Sequence, residues 1–76
     1  MIQDKLKALI TLSGQNQIDI ANAWQISRQQ LNNKIRLNSW KIDDLIKLAD
    51  QTNTQLAFID KNGNPIIKFD VSDLPD

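Results

Sequence analysis

Residues 17–36 read QIDIANAWQISRQQLNNKIR, and two helical patterns sit in that stretch with a break between them. Ile20, Ala21 and Trp24 share one side of a helix and give the first pattern its apolar face. Gln25-Ile26 then interrupts the period. Ser27 follows, with Gln30 three residues on, the spacing at which two side chains cap the first turn of a new helix reciprocally. Leu31 and Ile35, four apart, face inward on this second helix and leave Arg28, Gln29, Asn32, Asn33 and Arg36 on its other side. Upstream, Asn16 is placed to cap the first helix of the pair, and Asp19 lies in its positive first turn.

Working outward, Ile2, Leu6, Leu9 and Ile10 give an opening helix one apolar stripe, which ends near Ser13-Gly14. A fourth helix is expected from about Ile42, with Leu45, Ile46, Leu48 and Ala49 as its stripe. Trp40 and Leu45 are spaced to staple its entry. QLAFID (55–60) and PIIKFD (65–70) are short β-rich runs separated by KNGN, and Asn-Gly is a strong hairpin signal. With Asn62 and Gly63 as the two turn residues, Phe58 faces Ile67 and Leu56 faces Phe69, and these four are expected to lie on the helices and close the core. Ala57, Ile59, Ile66 and Lys68 form the opposite face. The expected fold is mainly α, four or so short helices with a helix-turn-helix plus a C-terminal β-hairpin. It forms one domain: a helical region over 1–54, the hairpin over 55–71, and a flexible acidic tail over 72–76.

The 76 residues include no cysteine, histidine or glutamate. Disulfides, Cys/His metal sites and histidine-based catalytic sets are therefore excluded, and no glycine-rich phosphate loop is present. The expectation is a non-enzymatic protein with no cofactor, no metal and no small-molecule ligand. No apolar stretch approaches the roughly 20 residues of a membrane span, and no signal peptide is evident, so a cytoplasmic protein off the membrane is expected. The net charge of zero hides an uneven distribution: residues 1–54 carry +2 and residues 55–76 carry −2. From Arg28 to Lys41 there are four bases and no acid.

Two short helices joined by a tight turn form the helix-turn-helix layout, in which the second helix is held rigidly with one face free to enter the DNA major groove. Arginine offers two donors to guanine, and Gln or Asn pairs bidentately with adenine. A solvated surface is the plainer explanation of the basic residues, and a buried core role is the plainer one for Trp24 and Trp40. Asp43-Asp44 fits a dipole-matched helix start rather than a catalytic or metal pair. The hairpin tip, Lys61 to Asn64, is poorly equipped as a DNA-contacting wing. Ala57, Ile59 and Ile66 leave an apolar patch of the kind that marks an interaction surface, and a homodimer through the hairpins is expected.

The segment NQIDIANAWQISRQQLNNKI resembles the helix-turn-helix of phage Cro and repressor proteins and of bacterial Xre-type regulators. The likeness lies in Gln17 opening the first helix of the pair, in Ile20-Ala21 and in Ile26-Ser27, and it extends over about residues 3 to 60. Gln25 stands where that family often has glycine, Ile18 replaces a usual polar residue, and Lys41 occupies a position where Ser or Thr commonly caps the next helix. The resemblance implies a lambda-repressor-like fold and a dimeric, sequence-specific regulator of phage or mobile-element type, a repressor that binds double-stranded DNA at an inverted repeat. It implies base contacts from Arg28, Gln29 and Asn33, with Asn32 at the margin. Backbone contacts would come from Gln17, Ser27, Arg36, Asn38 and Lys41. The alternative is a protein-interaction module that keeps this fold but binds another regulator or a host factor.

Overall fold

Residues 1–75 are described by a computed structural model, in which four helices precede one hairpin. They are α1 (Ile2–Leu12), α2 (Gln17–Trp24), α3 (Arg28–Leu37), α4 (Ile42–Gln51), β1 (Leu56–Ile59) and β2 (Pro65–Phe69), and a 3₁₀ turn follows at Val71–Asp73. The protein is therefore mainly α with a C-terminal antiparallel hairpin, as the periodicities predict. Packing divides the chain into two compact units, residues 1–41 and the residues from 42 onward, so α4 groups with the hairpin. The change of composition at residue 55 marks a change of secondary structure; the packing boundary lies at 41/42. No helix among the described residues is long and apolar enough to cross a membrane.

In the first unit α3 packs against both α1 and α2. Ile10, Ile20, Ala21, Leu31 and Ile35 are buried, the positions the stripes predict, whereas Ile2 at the start of α1 stays exposed. Trp24 and Trp40 meet edge to face, ring centroids 6.1 Å apart, so both serve packing. Capping is reciprocal at two helix starts. Asn16 Oδ1 accepts from Asp19 N (2.9 Å) while Asn16 N donates to Asp19 Oδ2 (3.0 Å). Ser27 Oγ accepts from Gln30 N (3.0 Å) while Ser27 N donates to Gln30 Oε1 (2.8 Å).

Left-handed residues close the other ends. Gln25 (φ 57°) lets Ile26 N donate to Ala21 O at 3.0 Å. Asn38 (φ 54°) does the same for Ser39 N and Lys34 O, and Asn53 (φ 57°) for Thr54 N and Ala49 O. Asparagine tolerates this conformation better than most residues; Gln25, with no such advantage, is the strained member of the set.

The second unit departs from expectation at the hairpin. Leu56 pairs with Phe69 and Phe58 with Ile67 as predicted, but Ile59 then pairs with Pro65, which leaves Ile66 as an extra residue on β2. The turn is not a two-residue Asn62-Gly63 loop. That turn needs positive φ at both positions, and of the two only Gly63 has it (φ 89°). Instead Gly63 N donates to Asp60 O (3.0 Å), and the Asp60 carboxylate accepts from Asn62 N and Asn64 N (2.9 Å each), which builds a longer turn and shifts the register beside it.

Core closure is also partial. Leu56 and Phe69, the pair farthest from the tip, are half-buried, while Phe58 is 66% and Ile67 53% exposed. One ten-residue helix, α4, supports the hairpin in this unit, and Phe58 lies two residues, about 7 Å, nearer the tip than Leu56. The groove lined by Ile42, Leu45, Leu56, Phe58 and Phe69 stays open. Thr52, the buried polar residue, is satisfied: its hydroxyl lies 2.8 Å from Leu48 O. Past β2, Asp70 caps the 3₁₀ turn through Ser72 N, so residues 71–73 are ordered as one turn.

Loss of the hydroxyl in Ser27→Ala is expected to lower unfolding free energy by about 1 kcal/mol. By contrast, Gln25→Gly removes a left-handed penalty of about 1–2 kcal/mol but adds unfolded-state freedom of about 0.5–1 kcal/mol, for a net gain of about 0–1.5 kcal/mol. Urea midpoints at constant slope measure both.

The backbone N–H groups of Asn64 and Asn62, hydrogen-bonded to the Asp60 carboxylate, hold its pKa below the ordinary 3.8. A carboxyl lowered on folding stabilises the fold above its ordinary pKa, and that contribution fades as pH falls through the lowered value. Amide shifts of Asn62 and Asn64 followed from pH 6 downward (about two units past the ordinary carboxyl range) should hold constant until below that range. A midpoint at or above the ordinary value would contradict the geometry.

Candidate nucleic-acid interface

With Leu31 and Ile35 buried, the rotation of α3 about its axis is set, and Arg28, Gln29, Asn32 and Arg36 are exposed. Arg28 and Gln29 stand at the first two helical positions, immediately after the Ser27 cap. A side chain at such a position leans back toward the helix N-terminus, which here points it at the neighbouring helix start. Gln17, at the first position of α2, meets it there. Gln17, Arg28, Gln29 and Asn32 line one shallow concavity, with no carboxylate among them.

The other expected contact residues are placed differently. Asn33 is half-buried, does not line the concavity, and its Oδ1 accepts from the Arg36 guanidinium at 3.3 Å. An isolated 3.3 Å bond on an exposed surface is readily exchanged for water or another acceptor. Ser27 is exposed, with its oxygen engaged by Gln30 N. Asn38 is the exposed left-handed cap of α3, and Lys41 is exposed just before α4. Gln30, on the outer side of α3, is committed to the Ser27 cap. Gln25 accommodates its side chain in the turn by going left-handed, and Ile18 is exposed, 46% accessible.

Three lining residues, Lys7, Thr11 and Gln15, were not singled out by the sequence, and Lys7 is the cation among them. Lys7 of α1 joins Gln17 and Arg28 around a second concavity of about 430 Å³, which also includes Thr11, Gln15 and Asn16. Its spacing of three and four residues to Ile10 and Thr11 puts all three on one side of α1, but nothing in the sequence brings that side to Gln17 and Arg28. In the hairpin, Ile59 is 63% and Ile66 65% exposed, while Ala57 is half-buried. Phe58 and Ile67 extend this apolar surface to the other face. Chemically, the concavities offer amide and hydroxyl groups beside two cations, Lys7 and Arg28.

No family model, curated protein or solved structure matches this chain.

Proposed function

We propose that this protein is a sequence-specific, double-stranded-DNA-binding regulator of the Cro/repressor-like (Xre-type) kind, a cytoplasmic repressor that acts by occluding promoter DNA. One observation carries this function: the outer start of α3 and the start of α2 gather Gln17, Arg28, Gln29 and Asn32 around one carboxylate-free concavity. Long amide and guanidinium side chains at a helix start are what base edges on a major-groove floor require. Arg28, Gln29 and Asn32 read bases, with Asn33 joining once Arg36 turns to phosphate. Gln17, Ser27, Arg36, Asn38 and Lys41 hold the backbone.

The regulator works as a homodimer through its hairpins. Phe58, Ile59, Ile66 and Ile67 are each more than half exposed, Ile59 and Ile66 on one face of the hairpin and Phe58 and Ile67 on the other. Two-fold symmetry then sets two recognition helices about 34 Å apart on an inverted repeat.

Two substitutions separate the roles. Arg28→Ala should weaken binding by about 1–3 kcal/mol and relax preference at one base pair. Arg36→Ala should weaken cognate and scrambled DNA alike and flatten the salt dependence by about one unit per subunit. Fluorescence anisotropy on both DNAs at several salt concentrations reads both. Equal losses on the two DNAs for Arg28→Ala would sink its assignment to a base. Absence of DNA binding by the intact dimer would favour the protein-interaction module.

Sedimentation equilibrium at micromolar concentration should give a dimer mass, reduced to a monomer by the paired change Ile59→Lys and Ile66→Lys. A monomer for the unaltered chain would remove the interface.

A further inference from the structure

The two concavities of the first unit share Gln17 and Arg28, so they form one trough that runs from α1, across the start of α2, to the outer side of α3. Its cations are Lys7 and Arg28, and no carboxylate lines either part. Neither acid of the same helices is a lining residue: Asp4 lies one turn before Lys7, and the Asp19 carboxylate, though next to the lining residue Asn16, is taken up in accepting from Asn16 N at 3.0 Å. Lys5, two residues from Lys7 and equally exposed, does not line the trough either, since a two-residue step turns a side chain to a different side of the helix. Charge at this place is therefore selected by position on the helix, not by the general polarity of α1.

We infer that Lys7 is a phosphodiester-holding residue: the α1 end of the trough seats a backbone phosphate of the DNA strand whose neighbouring bases face α3. This rests on the proposed DNA binding and adds a helix and a residue to it. If Arg28, Gln29 and Asn32 lie over base edges, the sugar–phosphate strand bordering that groove passes over the start of α2. The next phosphates along it then arrive at the α1 end. A compact ammonium on a flexible stem serves there as a point charge, with the Gln17 amide beside it as a neutral donor. Arg28 stands at the junction, between the phosphate seat and the base-reading end.

The experiment compares the full-length protein with Lys7→Gln, Lys7→Arg and Lys5→Gln, measuring affinity for cognate and scrambled duplexes from low to moderate salt. Exposed lysines are not needed for folding, and urea midpoints verify this for each variant. Lys7→Gln should weaken both duplexes by the same factor and lower the slope of log affinity against log salt by about one unit per subunit. Lys7→Arg should keep the wild-type slope, and so should Lys5→Gln. An unchanged slope for Lys7→Gln in a protein that binds DNA normally overturns the phosphate seat and leaves the DNA function standing. A loss confined to the cognate duplex also overturns it, because that is the mark of a base contact. Failure of the unaltered protein to bind either duplex removes the DNA function and this inference together.

Discussion

The three residues 25–27 constrain everything that follows them in the first unit. Gln25 turns the chain through a left-handed conformation, Ile26 N–H closes back on Ala21, and Ser27 starts α3 with a reciprocal cap. The cap contributes on the order of 1 kcal/mol and the left-handed Gln25 costs a similar amount, so the joint fixes where α3 begins and which way it leaves at little net energy. The rotation of α3 about its own axis is decided by apolar burial, which is stronger. Burying Leu31 and Ile35 is worth about 1.5–3 kcal/mol each, so no rotation that exposes them competes. The joint and the burial together leave one outward side, which carries Arg28, Gln29, Asn32 and Arg36.

Charge in this protein is informative by place and uninformative by total. A neutral chain has little long-range pull on nucleic acid, since non-specific affinity comes from the number of phosphates neutralised. The trough concentrates Lys7 and Arg28 while the carboxylates of α1 and α2 stay outside it. Asp19 is occupied in capping, a use that also directs its charge to the helix start. Such an arrangement favours binding that depends on fit at a few positions over indiscriminate attraction.

The hairpin follows a different logic. Its turn is organised by one carboxylate, Asp60, which accepts from the backbone N–H groups of Asn62 and Asn64. That choice adds a residue to β2 at Ile66 and moves the partner of Ile59 to Pro65. A single short helix supports the strands in their own unit, and a two-stranded sheet with little support is marginal alone. Exposed Phe58, Ile59, Ile66 and Ile67 follow directly from that geometry.

Local information was enough for the helices. Apolar spacing located all four, Asn16 and Ser27 announced the two helix starts they cap, and Gly14 ended the first, because periodicity and capping act within a few residues. The pairing of Leu56 with Phe69 and of Phe58 with Ile67 was equally local. What the string of residues could not carry was anything that required two distant segments to meet. Lys7 joined Gln17 and Arg28 only when α1 packed on α3. The depth to which α4 covers the hairpin, and so the exposure of Phe58 and Ile67, was likewise tertiary. Sequence determines which side of an element is apolar; how much of that side finds a partner depends on the length and position of whatever packs against it.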